Sequence, residues 1–222
     1  MTHGTLLKCA LGATAIAFLA GPAAAEMDLS LYTGWQTAPH SRLKGDAPFT
    51  GDSYNGLIGW DGKSFSNPPY YGLRGTWWKN ERIGFGLEFT HTKVYADDGD
   101  AAKIGFSNFE FSDGLNILTA NATRRWQNQW RGLSPYVGGG LGVAIPHVEG
   151  ATFSGSETFE YQLAGPAARL YAGASYDLSE RVAVFGEYQF TYSHNQGDLE
   201  DGGTFETNIK TNALNVGLTL KF

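Results

Sequence analysis

The sequence predicts an all-β chain: an eight-stranded antiparallel up-and-down transmembrane β-barrel. Three observations carry that prediction. Period-two alternation of apolar and polar residues recurs in eight segments, and short turns alternate with long polar connections. Glycine is abundant at 30 residues and aromatics make up 14% of the chain, whereas charged residues make up only 17%. Such a balance suits pleated strands in close backbone contact better than helices.

The chain opens MTHGTLLK, continues CALGATAIAFLA and reaches GPAAA before Glu26. A short basic region, an apolar run and a small-residue cleavage site make residues 1–25 read as a secretory signal peptide. Residues 26–222 then form one barrel domain. The apolar run is too short for a spanning helix, which needs about 20 residues. Cys9 is the one cysteine and lies in the removed segment, so the mature chain has no disulfide framework and no thiol chemistry. The formal charge of −6 becomes −7 when Lys8 is lost, which argues against nucleic acid as a partner.

The strands follow in order. Met27, Leu29, Leu31, Thr33 and Trp35 share one face of the first, with Asp28, Ser30, Tyr32 and Gln36 on the other. Tyr71, Leu73, Gly75 and Trp77 alternate with Tyr70, Gly72, Arg74 and Thr76 up to the turn Lys79-Asn80-Glu81-Arg82. Ile83, Phe85, Leu87 and Phe89 then oppose Gly84, Gly86, Glu88 and Thr90, which completes a hairpin. Residues 114–126 read as a strand without a favoured face, because Leu115 and Ile117 compete with Leu118, Ala120 and Ala122. Val137, Leu141, Val143 and Ile145 alternate with Tyr136, Gly138, Gly140 and Gly142. Ala168, Leu170, Ala172, Ala174 and Tyr176 oppose Ala167, Arg169, Tyr171, Gly173 and Ser175. Val182, Val184, Gly186, Tyr188, Phe190 and Tyr192 oppose Ala183, Phe185, Glu187, Gln189, Thr191 and Ser193, and Leu214 to Phe222 closes the set. Short turns fall near 79–82, 127–134 and 178–181; long polar loops are expected near 38–69, 96–112, 147–163 and 194–208.

An even strand number, short turns at one end and long loops at the other are the marks of a bacterial outer-membrane barrel. Lipid takes the apolar faces and a closed lumen takes the polar ones, so every backbone group is satisfied within hydrocarbon. A soluble eight-stranded barrel would instead put Arg74, Glu88, Arg169 and Glu187 on outer surfaces around an aromatic core. The aromatic terminus Phe222 is similar to the recognition signal of the barrel-insertion machinery, which becomes an expected partner. The expected location is therefore the outer membrane of a Gram-negative bacterium, as a monomer among membrane lipids.

In a barrel this narrow side chains fill the lumen, so a wide pore is not expected. Arg74, Glu88, Arg169 and Glu187 all face inward by parity and are expected to neutralise one another near mid-height, with Gly138, Gly140 and Gly142 making room for large side chains.

The four mature histidines, His40, His91, His147 and His194, each fall just past an upward strand and so belong to the outer rim. Imidazoles there could bind a metal ion, shuttle protons or meet lipid phosphates. Continued alternation turns His91, His147 and His194 outward and His40 inward, unless bends at Pro39 and Pro146 reset the phase. Glu149 shares the face of His147. The loop acids Asp97, Asp98 and Asp100, and Asp198, Glu200 and Asp201, match no calcium loop.

Pro68-Pro69-Tyr70-Tyr71-Gly72, Leu87-Glu88-Phe89-Thr90-His91, Ser134-Pro135-Tyr136-Val137-Gly138-Gly139-Gly140 and Gly186-Glu187-Tyr188-Gln189-Phe190-Thr191-Tyr192 resemble stretches of the lipid A oxidases, small outer-membrane barrels. The resemblance implies oxygen-dependent oxidation of the proximal glucosamine of lipid A to 2-aminogluconate, with release of hydrogen peroxide. It assigns no catalytic or cofactor-binding residues. No flavin or nicotinamide fold is legible, so a divalent metal held at the rim, with dioxygen as acceptor, is the economical chemistry, and His91, His147, His194 and Glu149 are its candidates. The competing class is a non-enzymatic structural or surface-binding barrel, which the aromatic stretch 48–71 would serve equally.

Overall fold

A computed structural model describes residues 26–222; the expected signal peptide, residues 1–25, lies outside them. The elements are β1 (Met27–Asp46), β2 (Ser53–Asp61), β3 (Tyr71–Trp78), β4 (Ile83–Ala96), a one-turn helix α1 (Asp98–Ala102), β5 (Phe106–Arg125), β6 (Leu133–Thr152), β7 (Glu157–Tyr161), β8 (Gly165–Asp177), β9 (Val182–Asp198) and β10 (Thr204–Lys221). Antiparallel pairing runs β1–β3–β4–β5–β6–β8–β9–β10 and closes where Leu29 of β1 meets Leu220 of β10. Closure removes the sheet edges that hydrocarbon would leave unsatisfied. β2 continues the wall beside β1 above β3, and β7 does so beside β6 above β8. The wall therefore has eight positions built from ten strands.

At the short-turn end the chain reverses through polar side chains. Asn80 Oδ1 accepts from the backbone N–H groups of Arg82 and Ile83 at 2.9 Å, and Ser179 Oγ accepts from those of Arg181 and Val182. Asn and Ser favour such turns because the side chain substitutes for a backbone acceptor.

At the other end the expected long loops are largely strand. β1 runs on to Asp46, β5 begins at Phe106, β6 reaches Thr152 and β10 starts at Thr204. Polarity reverses along these strands. The inward face of β5 carries Phe109, Phe111, Leu115 and Ile117 in its outer half, then Thr119, Asn121 and Thr123 in its inner half. Its outward face carries Glu110 and Asn116, then Leu118, Ala120 and Ala122. Water surrounds the outer half, so apolar side chains turn inward there; lipid surrounds the inner half, so they turn outward. This explains why residues 114–126 show no single apolar face.

The outer half has a true apolar core, in which Leu43, Ile58, Trp60, Val94, Phe106, Phe109, Phe111, Val148, Phe205 and Ile209 pack together. Trp60 stacks near Phe111 at 6.5 Å, and Phe109 meets Phe205 edge-on at 5.7 Å. Below it, Leu31, Leu73, Phe85, Leu87, Leu141, Leu170, Leu214, Val216 and Leu218 stand exposed on the outer wall as a continuous belt. Leu141 is 73% exposed near the middle of the β6 crossing. Arginine at that position should destabilise the folded barrel by about 2–4 kcal/mol, read as a shift of the urea midpoint in lipid vesicles.

The expected acidic loop clusters are structural here. Asp97 caps α1, Asp100 accepts from the Gly59 N–H at 3.0 Å, and Glu200–Gly202 forms a single 3-10 turn.

Candidate functional site

Two sets of polar side chains are built by this fold, one inside the wall and one outside it. Inside, Arg74 on β3, Glu88 on β4, Arg169 on β8 and Glu187 on β9 meet across the lumen. Arg74 donates from Nε to Glu88 at 2.7 Å and from Nη1 and Nη2 to Glu187, both at 2.8 Å. Arg169 Nη1 lies 2.7 Å from Glu88 Oε1, and its Nη2 donates to Thr90 Oγ1 at 2.7 Å. Tyr32 and Asn121 also donate to Glu88. The Arg74 guanidinium lies 4.0 Å from the centre of the Tyr171 ring. All four charged side chains are buried, so each needs its partners. A Cβ on Gly138 would overlap the Tyr171 ring, and one on Gly140 would overlap the Asn121 amide, which is why this strand carries glycine. Parity alone does not reveal Tyr32, Asn121 or Asn215 as members of the layer. Their signal is an inward polar residue at the height of a charge.

A cavity of about 190 Å³ opens below this layer toward the short-turn end, lined by Asp28, Trp78, Arg125, Tyr136 and Lys221 among others. Above the layer the apolar core fills the interior.

Outside, strands β4 to β7 present rows of residues at the outer rim. Pairing aligns Tyr95 with Glu110, Glu110 with Glu149, and Glu149 with Phe159; below them His147 faces Tyr161, and His91 faces Asn116. Between Phe111 and Leu115, four steps of β5 oppose two of β4, so β5 bulges outward and Gly114 takes a φ of +101°. A Cβ at Gly114 would overlap the His91 ring.

His91 stacks on Tyr71 with ring centres 5.2 Å apart, and its Nδ1 is 2.9 Å from Asn116 Oδ1. His147 lies beneath Phe159 and Tyr161, at 4.3 and 4.6 Å, with Asp113 3.9 Å from its Nδ1. His194 is apart from them on β9, where its Nδ1 is 2.9 Å from Asn208 Oδ1. His40 departs from the inward direction that alternation gives it. A register shift between Ala38 and Ser41 resets the phase of β1, and His40 is exposed near Gly59. Among the described residues no three His, Asp or Glu side chains come together as a ligand set, so the candidate metal donors His91, His147, His194 and Glu149 do not converge.

Burial and then the facing Glu149 carboxyl push the Glu110 carboxyl up to about 7. Beside this pair, burial lowers the Lys93 ammonium, partly offset by Asp113, Glu110 and Glu149. Lys93 is fully buried and its Nζ has no hydrogen-bond partner.

An apolar outer belt, a charged lumen and a reversal of both above the belt together define the bilayer position of the wall. The chain is an eight-position antiparallel transmembrane β-barrel.

No protein-family model and no curated protein matches this barrel. Among solved structures it is similar to Neisserial surface protein A, with 17% identity over 89% of this chain and 96% of that one and a TM-score of 0.48. It is similar to Ail, the attachment invasion locus protein of Yersinia pestis, with 15% identity over 89% and 99% and a TM-score of 0.43. The N-terminal β-barrel domain of Pseudomonas aeruginosa OprF gives 14% identity over 89% and 97%, again with a TM-score of 0.43.

The barrel's Glu110 has a pH consequence. Its folded-state pKa is raised, so between the ordinary carboxylate value of 4.5 and about 7 the folded protein holds a proton that the unfolded chain has released. Stability contributed by this group is therefore present at acid pH and lost as pH rises through about 7. Midpoints of thermal unfolding measured from pH 5 to 8 should fall, and Glu110→Gln should flatten that slope.

Proposed function

We propose that this barrel modifies outer-leaflet lipid, as a lipid A oxidase-like enzyme acting on the proximal glucosamine with dioxygen. The observation that supports it is the Glu110–Glu149 carboxyl pair on the outer face of the wall above the lipid belt, where burial and the facing Glu149 raise the Glu110 carboxyl to about 7. A base with a pKa near the working pH is the best general base, and a lipid headgroup can reach this one laterally. In the reaction, the C1–H bond of the ring hemiacetal breaks and its hydrogen passes with the electron pair to dioxygen, the oxidant. The anomeric hydroxyl proton passes through the carboxyl pair to the reduced oxygen, which departs as hydrogen peroxide, and water opens the resulting lactone to the acid. His147 lies two residues from Glu149 on the same face of β6, and His91 stands lower on β4 beside Asn116. Among the described residues the rim donors form no three-ligand metal site.

Mass spectrometry of lipid A from cells with and without the gene tests the reading. The expected result is a gain of one oxygen on the proximal sugar that depends on the gene and disappears in Glu149→Gln. Unchanged lipid A would overturn it.

A non-enzymatic surface barrel is the second reading. It is favoured by the packed apolar core of the outer half, which gives the exposed strands a rigidity that display alone would use. Wild-type and gene-deleted cells would then have identical lipid A.

A further inference from the structure

The belt of large side chains on the outer wall is broken in a sector near the short-turn end. Pairing puts Phe85, Ala122, Gly139 and Leu170 in one outward row, and Arg124, Val137, Ala172 and Tyr188 in the next. A groove of about 630 Å³ results, lined by Ala122, Arg124, Val137, Leu170, Ala172 and Tyr188 among others. Its walls are held in place. A Cβ on Gly139 would come within 2.8 Å of a Leu170 methyl carbon, so Leu170 lies over that glycine, and the Tyr188 hydroxyl donates to Asn212 Oδ1 at 2.6 Å. Neighbouring strands are about 4.8 Å apart, so the groove runs roughly 14 Å from Arg124 to Tyr188.

The charge at its foot is an independent observation. Arg124 is exposed with its guanidinium 5.1 Å from the centre of the Trp126 ring, and among the described residues it takes part in no ion pair. Arg82 in the β3–β4 turn and Arg131 in the β5–β6 turn are also exposed and outside those ion pairs. With Lys79 they stand against a single acid of these two turns, Glu81, so the sector carries a surplus of positive charge.

We propose that this sector holds one anionic phospholipid, with its phosphate on Arg124 and an acyl chain in the groove. The guanidinium fork matches two phosphate oxygens, and the Trp126 ring supports its other side. An acyl chain supplies the contacts that the small residues leave unmade between Phe85, Leu170 and Tyr188. An isologous contact with a second copy would instead bring two positive sectors together, so charge favours the lipid. In barrels of this class the short turns face the periplasm, which assigns the lipid to the periplasmic leaflet. The site is separate from the outer rim, and nothing in it depends on Glu110, Glu149 or the oxidation proposed there.

The test gives the full mature barrel in detergent one of three probes: a phosphatidylglycerol, the diacylglycerol with the same chains, or glycerol phosphate. Native mass spectrometry counts the molecules retained. One phosphatidylglycerol per barrel should stay bound, with each of the other two held about tenfold more weakly, because each offers only one half of the contact. Arg124→Gln removes the charge and Ala122→Phe fills the groove; each should weaken phosphatidylglycerol about tenfold. Both positions face lipid, so both variants should still show the gel shift of the folded barrel. Retention that neither substitution alters, or equal retention of diacylglycerol, would mean ordinary contact with surrounding lipid and overturn the site. Paired barrels without lipid, separated by Ala122→Phe, would give the groove to a second copy and overturn the phospholipid.

Discussion

Glu88→Ala should cost the barrel about 3–5 kcal/mol, because it leaves two buried guanidinium groups without their shared carboxylate. Glu88 accepts from Arg74, Arg169, Tyr32 and Asn121 at once, so it is the hub of the lumen layer. Glu187→Ala should cost less. Arg74 then keeps Glu88, and Glu187's other neighbour is Asn215, whose Nδ2 is 3.4 Å away and also donates to Gln189 at 3.1 Å. The ordering of the two variants, measured by urea denaturation in vesicles with the gel shift of the folded barrel as readout, decides the matter. Equal losses would mean that the charges act independently.

Phe109→Ala should be nearly as damaging, at about 3–5 kcal/mol, but in a different half of the molecule. Phe109 is 1% exposed and meets Trp60, Phe106, Phe111 and Phe205 at 5.3–6.4 Å between ring centres. Truncating it opens a cavity in the water-surrounded core while the lipid-surrounded wall keeps its pairing. Protease added outside intact cells should then cut between residues 46 and 53 or 198 and 204, and the membrane-embedded remainder should still run as a folded barrel on gels. If cleavage in Phe109→Ala is no faster than in the parent, the outer half does not depend on this core.

The lumen layer was legible in the sequence because alternation is local. Once Leu73 and Leu87 are assigned to lipid, Arg74 and Glu88 must point the other way, and the same holds for Arg169 beside Leu170 and Glu187 beside Tyr188. The lipid-facing set follows from the same rule.

Beyond the belt that rule stopped serving, because a strand continuing into water reverses which face is apolar. The inward run Phe109, Phe111, Leu115, Ile117 reads like a competing face of β5 and is in fact the same face in a new solvent. The segments read as loops were therefore strands whose pattern changed sense, and Glu110, Tyr95 and Phe159 went unnoticed as site residues. Parity places Glu149 and His147 on one face, yet their neighbours come from β5 and β7: Glu110 lies 39 residues before Glu149, and Tyr161 lies 14 residues after His147.

The period-two code by itself determined the strand class, the membrane crossing and the identities of the four lumen charges, since each depends on a residue and its immediate neighbours. Register, the β5 bulge, the reversal of faces and the dispersal of the four histidines were decided only in three dimensions. Pairing between distant strands sets which side chains share a row, and a single inserted step between Ala38 and Ser41 turns His40 to solvent; Pro39 marks the place of that reset in the sequence, and only the pairing shows that it occurs.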